Sequence, residues 1–187
     1  MQDNLSMLVQ TIENLKTKKT PVLIALEGGS ASGKSTLGQQ LAQALDATLV
    51  HMDDFFLPLE LRTPARFAQP GGNVHWERVL QEVLQPLRQG KPLDYGVFDC
   101  SAMAVTRHVQ EMPRDVVIVE GAYSLHPQLR AFYDLKVFLQ VEEQTQKDRI
   151  LQRNGQAMLQ MFLQRWIPLE QQYFAACAVK DCCDLIL

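Results

Sequence analysis

Apolar positions along this chain follow two periods in alternation. Leu5, Leu8, Val9, Ile12 and Leu15 recur at helical spacing and predict an amphipathic helix over 3–18, which Pro21 closes. A strand over 22–27 follows, and then Leu37, Leu41, Ala42 and Leu45 give the apolar stripe of a second helix. Residues 47–52 read as a second strand. The stretch 53–73 carries Pro58, Pro64, Pro70, Gly71 and Gly72 and predicts loop. A helix over about 75–89 is stopped by Gly90 and Pro92. Residues 93–112 are less decided; alternation over 104–109 suggests a strand, in a hairpin beside the main sheet. Residues 116–119 are fully apolar, as in a central parallel strand covered on both faces. Another strand is expected over 135–141. A long helical pattern begins at about 143, with Ile150, Leu151, Leu159, Phe162 and Leu163 as core positions, and 184–187 completes the strands. Strands alternating with helices imply a five-stranded parallel sheet in a three-layer α/β/α domain spanning 1–187.

Composition narrows the functional classes. The 187 residues are 47% apolar and 21% charged, with a formal charge of −3, which argues against a general nucleic-acid binder. No apolar stretch approaches the roughly 18–20 residues of a bilayer span, and the N-terminus lacks the regions of a signal peptide, so a cytoplasmic protein is expected. Cys100, Cys177, Cys182 and Cys183 show no C-x-x-C spacing; buried or idle thiols are expected rather than zinc ligands or disulfides. The N-terminal helix is equally suited to pack on its own domain or on a second subunit of a homodimer.

The most informative stretch is Gly28-Gly29-Ser30-Ala31-Ser32-Gly33-Lys34-Ser35-Thr36, which fits G-x-x-x-x-G-K-[ST] between a strand and a helix. Glycines permit a tight turn whose N–H groups form an anion-binding nest at a helix N-terminus. Lys34 is suited to the β- and γ-phosphates, and the Ser35 hydroxyl to Mg²⁺. Outside that context the stretch would be a Gly/Ser-rich turn with an exposed lysine; within it, nucleoside triphosphate binding is implied.

Three further features suggest what the triphosphate is used for. Asp53, at the end of the second strand in His51-Met52-Asp53-Asp54-Phe55-Phe56, is placed to accept a proton from an attacking hydroxyl, although aspartate also favours caps and turns. Glu120 ends the apolar strand before Gly121, a position suited to Mg²⁺ or to the start of a surface turn. Arg149 and Arg153 share a helix face and are candidates to clamp the transferring phosphoryl group, with a solvated face as the alternative. Arg165 is a weaker candidate of the same kind.

Together these residues resemble the uridine kinase-like branch of the P-loop kinases, which includes phosphoribulokinase, nicotinamide riboside kinase and bacterial pantothenate kinase. The resemblance rests on the Gly-Gly-Ser-x-Ser-Gly-Lys loop, Asp53-Asp54-Phe55-Phe56, Val119-Glu120-Gly121 and the Arg149/Arg153 helix. It implies an ATP- and Mg²⁺-dependent kinase acting on a hydroxyl of a small, nucleoside-like acceptor. Asp53 would be the base and, with Ser35 and Glu120, would serve the metal; Lys34, Arg149 and Arg153 would serve catalysis, with a lid at about 145–165. Candidate acceptor-binding residues are Asp53, Phe56, Asn73, His75, Phe98, Met103 and Tyr123. Phe98 and Met103 stand where family uridine kinases read the base with tyrosine and histidine, and neither replaces those hydrogen bonds. Pantothenate, nicotinamide riboside and other small alcohols are therefore alternative acceptors. A nucleotide-dependent regulatory ATPase is a third reading, disfavoured by the lack of an Asn-Lys-x-Asp guanine signature.

Overall fold

The computed structural model describes residues 2–187. Five parallel strands form the central sheet: β1 (Val22–Gly28), β2 (Thr48–His51), β5 (Val116–Glu120), β6 (Leu135–Leu139) and β7 (Leu185–Ile186), in the order β2-β5-β1-β6-β7. β3 (Leu93–Asp99) and β4 (Ala104–Glu111) form a separate antiparallel hairpin with a register shift between Val97 and Phe98. Every residue of β1 and of β5 is buried, as continuous apolar central strands require.

Two apolar layers cover the sheet. On one face, Leu8 and Ile12 of α1 (Gln2–Lys16) and Leu41 and Leu45 of α2 (Lys34–Leu45) pack on Val22, Ile24, Leu26, Val116 and Ile118. The N-terminal helix thus packs on its own chain. On the other face, Leu23, Ala25, Val117 and Val119 meet the helical run 76–88 and the hairpin, through Val79, Val83, Leu87, Tyr95 and Val97.

Two helices carry a proline inside, and both accommodate it in the same way. α3 runs over 76–88 and widens into a π turn at Val79–Leu84 just before Pro86. The helix over 162–176 opens with a π turn at Phe162–Trp166 just before Pro168, and continues as α5 (Ile167–Ala176). Proline cannot donate to the carbonyl four residues back and its ring crowds it, so an i→i−5 bond from the preceding residue (Gln85 to Leu80, Ile167 to Phe162) carries the helix past it.

The long C-terminal helix expected from about 143 is α4 (Glu143–Met161), broken at Gly155, which takes φ 79° and ψ 173°. Ile150 and Leu159 are buried, but Leu151, expected in the core, is 41% exposed. It lies about 100° around the helix from Ile150, which claims the inward face. Of the thiols, expected to be buried or idle, Cys100 is exposed and the other three are half-buried, all free.

The fold has one sharply constrained point beside β5. Gly121 takes φ 140°, and a Cβ there would stand 2.5 Å from the Met52 Cβ. Gly121→Ala should lower the unfolding free energy by about 2–4 kcal/mol through backbone strain and overpacking together, read as a lower urea midpoint with an unchanged slope.

Candidate active site

The phosphate loop joins the buried end of β1 to the first turn of α2. Positive φ at Gly28 (148°), Ala31 (57°) and Gly33 (104°) curls the chain around a concave space. A side chain at Gly33 would meet nothing within 4 Å, so backbone conformation alone calls for glycine there. Lys34 is buried and its Nζ donates to the Gly29 carbonyl at 2.8 Å. Side chains from the C-terminal helices brace the loop from outside. Gln146 Nε2 donates to the Ser30 carbonyl at 2.7 Å, and Arg149 Nη1 to the carbonyls of Ala31 and Ser32 at 3.0 and 3.4 Å. Glu170 accepts from the Ser30 amide at 2.9 Å and from Ser30 Oγ at 2.5 Å.

Parallel register brings the carboxylates to the same edge of the sheet. Glu120 pairs with Leu26 of β1 and His51 of β2, so the C-terminal strand ends meet beside the loop. Its Oε2 accepts from Ser35 Oγ at 3.2 Å, and its Oε1 lies 2.6 Å from His51 Nδ1. That hydrogen bond is the main reason the His51 pKa is raised. Asp53 sits in the single 3₁₀ turn Met52–Phe55 after β2 and is exposed to solvent. Desolvation and then the Glu120 charge push its carboxyl above the ordinary range, against the pull of Lys34 and His51.

Two cavities flank the loop. One, of about 590 Å³, is lined by Ser32, Gly33, Lys34, Ser35, Thr36 and Arg149, among others. The second, of about 440 Å³, is lined by Asp53, Phe56, Asn73, Met103, Glu120 and Tyr123, among others. Ala31, Lys34, Ser35 and Arg153 line both. Arg153 is exposed, with its Nε donating to Asn154 Oδ1 at 2.8 Å. Asn73 is buried close to the Tyr123 side chain.

Some sequence candidates stand off the cavity walls. Gly28 and Gly29 lie at the base of the loop. Phe98 is buried behind Phe56, the two rings edge-on with centroids 6.5 Å apart. His75 precedes α3 and donates its amide to the Phe55 carbonyl at 2.7 Å, while its Nδ1 is buried without a hydrogen-bond partner among the described residues.

Other residues escaped sequence reasoning. Glu27 is wholly buried at the end of β1. Its two oxygens accept from the amides of Gly28, Tyr123 and Leu125 at 3.0, 3.0 and 2.9 Å and from the Tyr173 hydroxyl at 3.0 Å. Burial, working against these donors and Lys34, pushes its pKa up to about 7. A charged residue inside an otherwise apolar strand was the available signal. Glu170 and Gln146 had none, because glutamine and glutamate recur all along the C-terminal helices. Arg62, another lining residue of the second cavity, lay in a stretch read only as loop.

No protein-family profile matches the chain. It is similar to a uridine kinase of Latilactobacillus sakei subsp. sakei (strain 23K), 30% identical over 153 residues, covering 75% of this chain and 69% of that one. Among solved structures it resembles a possible uridine kinase of Bacillus stearothermophilus, with TM-score 0.78 and 21% identity, covering 100% and 98% of the two chains. A protein of Silicibacter sp. TM1040, provisionally named a fructose transport system kinase, gives TM-score 0.75 and 26% identity, with 98% of both chains covered.

Glu27 makes stability depend on pH in a stated direction. Its folded-state pKa of about 7 lies above an ordinary 4.5, so between those values the folded state holds the proton more tightly and its stability falls as pH rises. Glu27→Gln, an uncharged isostere, should remove that slope: from pH 5 to 8 the variant should gain about 3 kcal/mol relative to wild type in urea unfolding. A pH-independent difference would show that Glu27 is ionised throughout.

Proposed function

The chain belongs to the uridine kinase-like P-loop kinases and is a small-molecule kinase; from that premise we propose that it transfers the γ-phosphoryl group of Mg²⁺·ATP to a hydroxyl of a nucleoside, uridine first. The observation that carries this reading is the pair of cavities meeting at Lys34, Ser35 and Arg153. A triphosphate in the larger space would direct its γ-phosphate toward the smaller, where Asp53 lines the wall.

Each residue then has a physical task. Loop amides and Lys34 bind the β- and γ-phosphates, and the outside bracing by Gln146, Arg149 and Glu170 preorganises them. Asp53, its basicity raised by desolvation and Glu120, takes the proton of the acceptor hydroxyl. Arg153, which lines both cavities, faces the transferring group where they meet. The region 145–165 serves as a lid, with the Gly155 break as its joint, and excludes water as a competing acceptor.

The residues present fit a hard divalent cation. Ser35 Oγ and the Glu120 and Asp53 carboxylates are an all-oxygen set, and among the described residues no group of three His, Cys, Asp or Glu forms a self-contained metal cage. Magnesium is commonly held by one or two carboxylates jointly with phosphates and water. When bound, it would neutralise charge on the β- and γ-phosphates.

A second reading keeps this chemistry and changes the acceptor to pantothenate, nicotinamide riboside or another small alcohol. The apolar Met103 in the acceptor wall, with Phe98 behind it, favours it, because neither offers the hydrogen bonds that read a pyrimidine.

The test is ADP release over a panel of nucleosides, vitamins and polyols, with wild type and Asp53→Asn in parallel. At least one acceptor should raise ADP release, and Asp53→Asn should lower that rate by about 10²–10⁴-fold while ATP affinity stays near wild type. Lys34→Ala should instead lose ATP affinity. Slow ADP release that no compound raises would count against a kinase, and loss of ATP affinity in Asp53→Asn would count against its acceptor-side role.

A further inference from the structure

Arg62 is a half-buried guanidinium with an unspent charge. Arg66, Arg78, Arg88 and Arg114 each reach a carboxylate, to Glu77, Glu82, Asp134 and Asp46. Among the described residues Arg62 reaches none within 4.0 Å. Its Nε donates to the Leu57 carbonyl at 2.7 Å, and its guanidinium carbon stands 5.8 Å from the Phe98 ring centroid. These two contacts hold the group in place. Its two terminal nitrogens have no protein hydrogen-bond acceptor among the described residues.

Position separates Arg62 from the other cations of the acceptor cavity. Lys34 and Arg153 also line the nucleotide cavity, where phosphates would engage them; Arg62 lines the acceptor cavity alone. It acts on the same space as Asp53: the Cys100 thiol on that wall is pulled down by the Arg62 charge and pushed up by that of Asp53, under a larger upward effect of burial. A partly desolvated guanidinium is costly unless a partner accepts from it, and its planar fork matches a carboxylate or phosphate in a bidentate way.

We infer that the acceptor carries an anionic group, a carboxylate or a phosphate, which Arg62 binds while the acceptor hydroxyl faces Asp53. This rests on the kinase reading and replaces its first acceptor, a neutral nucleoside, by a hydroxy acid or a phosphorylated alcohol. Phe98 thereby gains a role from behind the cavity wall, as the ring that supports the guanidinium. It also explains a loop arginine nine positions after Asp53, on the same side of the site as the base.

Matched pairs of acceptors that differ in the anionic group test this: pantothenate and panthenol, orotidine and uridine, nicotinate riboside and nicotinamide riboside, ribulose 5-phosphate and ribulose. Steady-state rates with Mg²⁺·ATP, and calorimetric binding with a non-hydrolysable ATP analogue, would be measured on the whole chain. In the pair that contains the best acceptor, the member with the anionic group should have kcat/KM at least about tenfold above the member without it. The first three pairs report a carboxylate, the last a phosphate. Arg62→Gln should raise the KM for that acceptor by about 10–100-fold, with kcat and the ATP KM little changed, and Arg62→Lys should recover part of the loss. An unchanged thermal midpoint in both variants excludes a folding defect. Preference for a member without the anionic group, or an acceptor KM untouched by Arg62→Gln, overturns the inference; if Asp53→Asn still abolishes that turnover, the kinase reading stands without it. Absence of both turnover and binding across all eight compounds counts against the two together.

Discussion

The buried carboxylate of Glu27 joins the parts that make the site. One oxygen accepts from Gly28, where the phosphate loop begins, and from Tyr123, in the segment after β5; the other accepts from Leu125 and from Tyr173 of α5. Loop, strand end and C-terminal helix are thereby referred to one point. Tyr123 takes φ 76°, a conformation that costs a non-glycine residue roughly 1–3 kcal/mol, and its amide is one of the groups that Glu27 holds. Burying a carboxyl here is costly, and its raised pKa records that cost. The return is positional: Glu120, one residue before Gly121, is fixed relative to Ser35.

Around that anchor, two opposed demands on the phosphate loop are met on different sides. Its amides must remain available to phosphates, while its carbonyls need partners. Gln146 and Arg149 of α4 supply those partners from outside, at Ser30, Ala31 and Ser32. Arg149 is therefore committed to the loop itself, whereas Arg153, one turn on, faces both cavities. Glu170 adds a third brace from α5, and the π turn before Pro168 lies between that helix and α4. A single helical segment thus combines loop support with the wall of the acceptor space.

The acceptor wall explains why general kinase features and substrate choice are read from different residues. In the proposed reaction Lys34, Ser35 and Glu120 would meet groups that every phosphoryl donor shares. Phe56 and Arg62 come from the connection after β2, Met103 from the turn of the hairpin and Tyr123 from the segment after β5, all outside the sheet. Between Asp53 and Arg62 the loop is shaped by two 3₁₀ turns, and the exposed Leu59 and Leu61 leave Arg62 to turn inward over Phe98.

The sequence by itself determined the layers, the five-stranded parallel sheet and the phosphate loop, because these follow from local signals: the unbroken apolar runs of β1 and β5, and a loop whose glycines are required by backbone conformation. It also singled out Asp53 and Glu120, since carboxylates at strand ends in a parallel sheet share one edge. Only the tertiary structure decided which side chains meet across long separations. Glu27 and Tyr173 are 146 residues apart, and Ser30 and Glu170 are 140 apart, so no spacing rule relates them. Periodicity put Leu151 in the core beside Ile150, yet a helix face narrower than the apolar stripe buries only one of them. Arg62 shows the same limit: an arginine in a proline-rich loop has no period to place it, and its meaning arises only once Phe98, from a separate hairpin, comes to lie beneath it.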